Sequence, residues 1–128
     1  MWTLVLVALG GALGTALRYG LGLGLTRWLG PGLPVGTLVA NVLGSFLLGL
    51  VMEAAGERQI VGAPAKLVLG TGVLGGFTTY SSFNLETLRL AEQGAYGRAG
   101  LYLALTVAVC LAAGLGGVAL ARGLKGPA

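Results

Sequence analysis

The sequence predicts an all-α membrane protein of four transmembrane helices, and three observations carry that prediction. Hydrophobic residues make up 55% of the 128-residue chain and charged residues only 9%, against about 45–50% and about 25% in ordinary soluble domains. The eight basic and four acidic residues stand at long intervals, leaving uncharged runs from Trp2 to Leu17, Trp28 to Met52, Leu67 to Leu85 and Ala99 to Ala121. A helix crosses the hydrocarbon layer in about 20 residues, so the last three runs suffice, and the first suffices if it continues past Arg18 toward Thr26. The chain has no histidine or aspartate and a single cysteine, Cys110, which excludes an internal disulfide, a histidine triad and a cysteine-based zinc site.

Taken in order, the helices are expected at about 2–28, 34–54, 64–93 and 96–122. The connections Leu29–Pro34, Ala54–Pro64 and Glu92–Gly97 are short, so residues 1–128 form one transmembrane domain with no separate soluble part. No basic residue precedes the first apolar run, as a cleaved leader would require. No basic, aromatic-interleaved patch points to nucleic acid. Lysine and arginine barely choose an orientation. Arg58, Lys66, Arg122 and Lys125 fall on one side, and Arg27, Arg89 and Arg98 on the other, with Arg18 able to even the count. Such weak bias permits insertion both ways, or leaves one strong residue to decide. Dual insertion would allow an antiparallel two-fold dimer.

Small residues recur at helical spacing in Gly10-x-x-x-Gly14, Gly20-x-x-x-Gly24, Gly36-x-x-x-Ala40-x-x-x-Gly44, Ser45-x-x-x-Gly49 and Gly72-x-x-x-Gly76. Faces of this kind let backbones approach in lipid, where leucine against leucine gains little. The second helix carries Thr37, Asn41 and Ser45 on one stripe, and the fourth repeats the i, i+4, i+8 pattern with Tyr102, Thr106 and Cys110. A buried amide such as Asn41 needs partners. Interhelical bonding and a polar pathway both satisfy that need.

The third helix contains the stretch GGFTTYSSF, Gly75 to Phe83. Paired glycines are poor helix formers, and threonine hydroxyls compete for backbone groups, so an interruption is expected across residues 75–79. Irregular backbone at membrane depth survives only inside protein or beside a cavity. The break would free carbonyls at the end of one half-helix and amides at the start of the next.

These residues resemble a known family. GGALGTALRY (Gly10–Tyr19), GTLVANVLGSFLLG (Gly36–Gly49) and GGFTTYSSFNLE (Gly75–Glu86) look like the three signature blocks of the Fluc (CrcB-type) fluoride channels, in order and across essentially the whole chain. The resemblance implies passive, fluoride-selective export across the bacterial cytoplasmic membrane by an antiparallel dual-topology dimer, with two pores and a central structural sodium ion. It implies fluoride-pore roles for Asn41, Tyr80, Ser81, Ser82, Phe83, Tyr102, Thr106 and Cys110. Arg18 and Glu86 would stand in the vestibule, and the backbone carbonyls of Gly75 and Thr78 would hold sodium. Tyr80 stands where the family usually has phenylalanine, Ser82 where threonine is common, and Cys110 where serine is usual. The partner would be a second copy of this chain, although some members pair non-identical subunits. Two other readings stay open: a proton-coupled exporter resembling the small multidrug exporters, which would want a carboxylate in the first helix, and a non-conducting membrane assembly protein.

Overall fold

Long uncharged runs fold as long helices because, without water, each backbone amide and carbonyl must find its partner within the segment. The computed structural model describes residues 1–30, 34–55 and 62–124. Parts of the expected connections Leu29–Pro34 and Ala54–Pro64, together with Arg58 and Lys125 of the charge count, lie outside the described residues. Helix α1 (Trp2–Leu29) has 28 residues, α2 (Val35–Ala54) has 20, and α6 (Tyr96–Leu124) has 29. Each is long and apolar enough to cross a membrane. Between α2 and α6 the chain forms α3 (Ala63–Lys66), a π-helical stretch (Leu67–Leu74), α4 (Gly75–Phe77) and α5 (Tyr80–Glu92). All the described secondary structure is helical.

Local chemistry sets the ends. Gly30 closes α1 at φ 81°, a left-handed conformation that favours glycine, and its N–H bonds to Thr26 O. Arg27 sits in the same last turn, where a cation meets the negative end of the helix dipole. Helix α5 ends in a Schellman turn at Gly94 (φ 76°), with Gly94 N–H donating to Ala91 O and Ala95 N–H to Leu90 O, both at 2.9 Å. That turn carries the chain directly into α6.

The interruption occupies only the last two residues of the expected span 75–79. Gly75 is helical (φ −62°, ψ −38°), and the helix runs on through Phe77 before the chain becomes extended at Thr78 (φ −81°, ψ 156°) and Thr79 (φ −154°, ψ 116°). Gly76 serves helix contact instead: a Cβ there would collide with the Gly11 carbonyl. The π-helical stretch preceding it was not legible in the sequence, although Gly70 and Gly72 within it are poor at holding the tighter α ladder.

Small-residue faces join the helices pairwise. A side chain on Gly14 would strike the Val73 carbonyl, and one on Gly72 would come within 2.8 Å of Val7 O, so α1 lies backbone to backbone along the segment 67–77. Gly49 meets the Gly114 carbonyl and Gly117 the Phe46 carbonyl, which draws α2 and α6 together in the same way. Gly36 faces Gly22 of α1. The pair Gly20 and Gly24 has nothing nearby, so that spacing carries no contact among the described residues. A small apolar cluster of Phe83, Leu90, Ala99 and Tyr102, flanked by Leu38 and Ala91, fixes α5 against α6 and α2. Most large apolar side chains point outward, with Trp2 and Trp28 near the two ends of α1. That inverts the soluble pattern and suits a lipid surround with aromatic residues at its interfaces.

Replacing Gly117 with leucine drives a side chain into the Phe46 backbone, and we expect a loss of about 1–3 kcal/mol from overpacking. Gly20→Ala, in open space, should be neutral or slightly stabilising. Thermal midpoints of the detergent-solubilised variants check both, and equal midpoints would refute the packing account.

Candidate functional site

The site is organised by the two extended residues at the break. Asn41, on α2, exchanges two hydrogen bonds with Thr79: its Nδ2 donates to Thr79 O at 3.0 Å, and its Oδ1 accepts from Thr79 N–H at 2.7 Å. The side-chain amide thus replaces the peptide partner that the interrupted helix has lost. Because a backbone N–H can only donate and a carbonyl only accept, this pairing also fixes which way the amide faces. The second Nδ2 hydrogen remains for another acceptor.

Thr79 also starts α5. Its Oγ1 accepts from Ser82 N–H at 3.2 Å, an N-cap, and donates to Ser82 Oγ at 3.1 Å, with Ser81 Oγ 3.2 Å away. Thr78 closes the preceding half-helix by turning its hydroxyl back to Leu74 O at 3.0 Å. These side-chain bonds have a consequence for two carbonyls. The amide that would complete an α-helical bond to Gly75 O is that of Thr79, which goes to Asn41; the one for Thr78 O is that of Ser82, which goes to Thr79 Oγ1. Of the two carbonyls between them in sequence, Gly76 O receives Arg18 Nε at 3.3 Å and Thr15 Oγ1 at 3.4 Å from α1.

Beside the break lies an open hollow of about 320 Å³, with Asn41, Ser45, Thr78, Thr79, Thr106 and Cys110 among its lining and the rings of Tyr80 and Phe83 and the side chains of Leu48 and Val107 making up the rest. No charged side chain lines it. Phe83 is buried, and Tyr80 meets it edge to face with ring centres 5.8 Å apart at 60°. Tyr80 itself is 77% exposed, so most of its ring is free to meet something outside the single chain. Thr106 Oγ1 is buried without a hydrogen-bond partner.

Several expected residues take other positions. Ser81 and Ser82 are engaged with Thr79 and do not line the cavity. Tyr102 packs its ring against Phe83 (5.4 Å between centres) and donates its hydroxyl to Glu86 Oε2 at 2.8 Å, one turn beyond the cavity wall. The other carboxylate oxygen of Glu86 accepts from Thr37 Oγ1 at 2.7 Å. Glu86 therefore ties α5 to both α2 and α6, held by two neutral donors. Arg18 and Thr37 line a second cavity of about 240 Å³ between α1 and α2, so Arg18 and the Glu86 assembly border the same space. Sequence reasoning did not single out Thr15, Ser45 or Thr79 as site residues. Ser45 was already visible as the third member of the Thr37–Asn41 stripe. Thr79 is the residue just before the helix that starts at Tyr80, where the sequence also ends the break, and its role there is that of N-cap.

Chemically, the cavity offers donors without charge: an amide N–H, hydroxyls, a thiol and aromatic ring edges, whose hydrogens carry partial positive charge. Such a set solvates a small anion and lets it go, because no fixed cation is there to hold it.

Apolar helices that turn their large side chains outward around a neutral, donor-lined cavity define a multi-pass membrane protein with a polar site at a helix break. Residues 5–118 match the family described as CrcB-like protein, Camphor Resistance (CrcB). The chain belongs to this family. It is 50% identical over 126 residues to the fluoride-specific ion channel FluC of Anaeromyxobacter dehalogenans, spanning 98% of this chain and all of the relative. The protein of the same name from Sorangium cellulosum is 48% identical over 118 residues (92% and 93% of the two chains), and that of Agrobacterium fabrum 45% over 124 residues (97% and 99%).

Truncating Asn41 to alanine strands the Thr79 N–H and carbonyl together. Each unpaired group costs about 1–3 kcal/mol, so Asn41→Ala should fall well below wild type in detergent thermal stability. A midpoint equal to wild type would show that the exchange does not brace the break.

Proposed function

We propose that this protein is a fluoride-selective channel that exports the ion passively from the cytoplasm. The observation that carries the reading is the uncharged cavity at the break, where Asn41, Thr106, Cys110 and the rings of Tyr80 and Phe83 meet. The fluoride-specific relatives support it across nearly their whole length. Fluoride is small and strongly hydrated, so a narrow path must replace its water with donors at close range. Neutral donors and ring edges do this without trapping the ion. Chloride is larger and meets the same donors less well.

In this reading the segment 63–92 is the third crossing, made of two half-helices, and the functional unit is an antiparallel dual-topology homodimer in the bacterial inner membrane with two pores. Exposed Tyr80 would then complete its surroundings with the second subunit. The carbonyls of Gly75 and Thr78, whose helical amides turn elsewhere, suit a hard cation such as sodium, which would sit between the subunits and brace both breaks. The exporter alternative wants a carboxylate in the first helix, and α1 contains none.

Purified protein in fluoride-loaded liposomes, with an ionophore to dissipate voltage, should release fluoride rapidly and chloride negligibly. Absence of fluoride efflux from folded protein would defeat the channel reading. Phe83→Ile should abolish efflux while the oligomer stays intact on size exclusion, and undiminished transport in that variant would remove the ring from the path.

Exchanging sodium for a large organic cation should lower either efflux or oligomer stability. Indifference of both would count against a cation at the Gly75 and Thr78 carbonyls.

A further inference from the structure

The starts of α2 and α6 border a groove of about 170 Å³ on the outer surface of the bundle, away from the hollow at the break. Its lining includes Pro34, Leu38, Leu101, Leu105 and the ring of Tyr102, and Arg98 is its one charged residue among those described. Val35 opens α2 and Tyr96 opens α6, and Pro34 and Arg98 share the groove, so both helices enter the membrane at the same end. Leu38 is one turn inward from Pro34, and Leu105 lies about 10 Å further along α6 than Arg98. The lining therefore passes from a permanent cation at the membrane edge to apolar surface deeper in. Leu101 and Leu105 are 66% and 44% exposed, so the groove opens toward the bilayer. Tyr102 forms a fixed floor, because its ring packs on Phe83 and its hydroxyl is turned away to Glu86.

The charge at this end favours an anion. The first turn of α6 holds no acidic residue, and Arg27 and Arg89 stand in the last turns of α1 and α5, against the single carboxylate of Glu92 in those turns. A phospholipid with a net negative headgroup has the matching layout, phosphate at the membrane edge and acyl chain inward. We propose that the groove holds one anionic phospholipid, its phosphate on the Arg98 guanidinium and an acyl chain along Leu38, Leu101 and Leu105. The planar guanidinium can meet two phosphate oxygens at once, and a basic pocket between membrane helices selects anionic headgroups. The site rests on the membrane location of the helices and is independent of the channel reading.

The full-length protein, equilibrated in detergent with equal amounts of palmitoyl-oleoyl phosphatidylglycerol and the phosphatidylcholine of the same chains, tests this by native mass spectrometry. Phosphatidylglycerol should be retained in preference by roughly fivefold, the effect of one arginine near an anionic membrane surface. Arg98→Gln should erase the preference. Arg89→Gln removes the same charge at the same end but outside the groove, and should leave the preference intact. Leu105→Trp fills the groove with Arg98 in place, and should lose the bound lipid while eluting as wild type on size exclusion. Equal retention of the two lipids by wild type overturns the proposal, as does a preference that survives Arg98→Gln. A preference lost equally in Arg89→Gln would show diffuse surface charge instead of a site. A change of oligomer mass in Leu105→Trp would assign the groove to a second copy of the chain and overturn the proposal too. Should Leu105→Trp fail to fold, the contrast between Arg98→Gln and Arg89→Gln decides.

Discussion

The exchange of two hydrogen bonds between the Asn41 side chain and the Thr79 backbone is the constraint on which the rest of the site depends. An interrupted helix in an apolar surround leaves amides and carbonyls unpaired, each at a cost comparable to a substantial part of a small protein's net stability. Asparagine repairs the gap because its amide has the donor and acceptor of a peptide bond, carried on a neighbouring helix. The repair also joins α2 to the break, so a side chain that positions the cavity wall is itself part of the wall. The structural and functional accounts of Asn41 are therefore compatible, and the same residue can satisfy both.

Once Thr79 is held this way, the neighbouring backbone groups divide by partner. Gly76 O is covered by Arg18 and Thr15, which anchors the end of the half-helix to α1. The carbonyls of Gly75 and Thr78 are those whose helical amides are diverted. A carbonyl oxygen at the C-terminal end of a half-helix carries partial negative charge that favours a cation. The close approach of α1, through Gly10, Gly14, Gly72 and Gly76, brings Arg18 near enough to bond one carbonyl. Bulkier residues at those positions would move the guanidinium away from Gly76, so the glycine face and the charge distribution at the break are linked.

Much of this was legible in the sequence, for identifiable reasons. Long uncharged runs encode long helices directly, and two i, i+4, i+8 stripes set Asn41 with Ser45 and Thr106 with Cys110 on polar faces of their helices, which the fold brings to one hollow. The glycine pair was read through intrinsic propensity, which placed the break at 75–79. In the fold Gly75 and Gly76 stay helical, Gly76 packed against the Gly11 backbone, and the threonines make the break. Tyr102 shows a different limit. Its spacing puts it on the right face, but periodicity carries no information about Glu86, which captures its hydroxyl from another helix. The π-helical stretch is a matter of backbone hydrogen-bond choice over Leu67–Leu74, and residue types report that choice weakly.

The placement of charge completes the logic of the cavity. A carboxylate pointing into a neutral donor-lined space would occupy the donors and repel an arriving anion. Glu86 is instead held one turn away, with Thr37 and Tyr102 each giving a hydrogen bond to one of its oxygens. Those two bonds satisfy the carboxylate locally and leave the second Asn41 amide hydrogen free for a guest. Arg18 is likewise occupied at Gly76 O, beside a separate cavity. The fixed charges near the break thus frame the site from outside, and the interior is left to groups that bind weakly enough for an ion to pass.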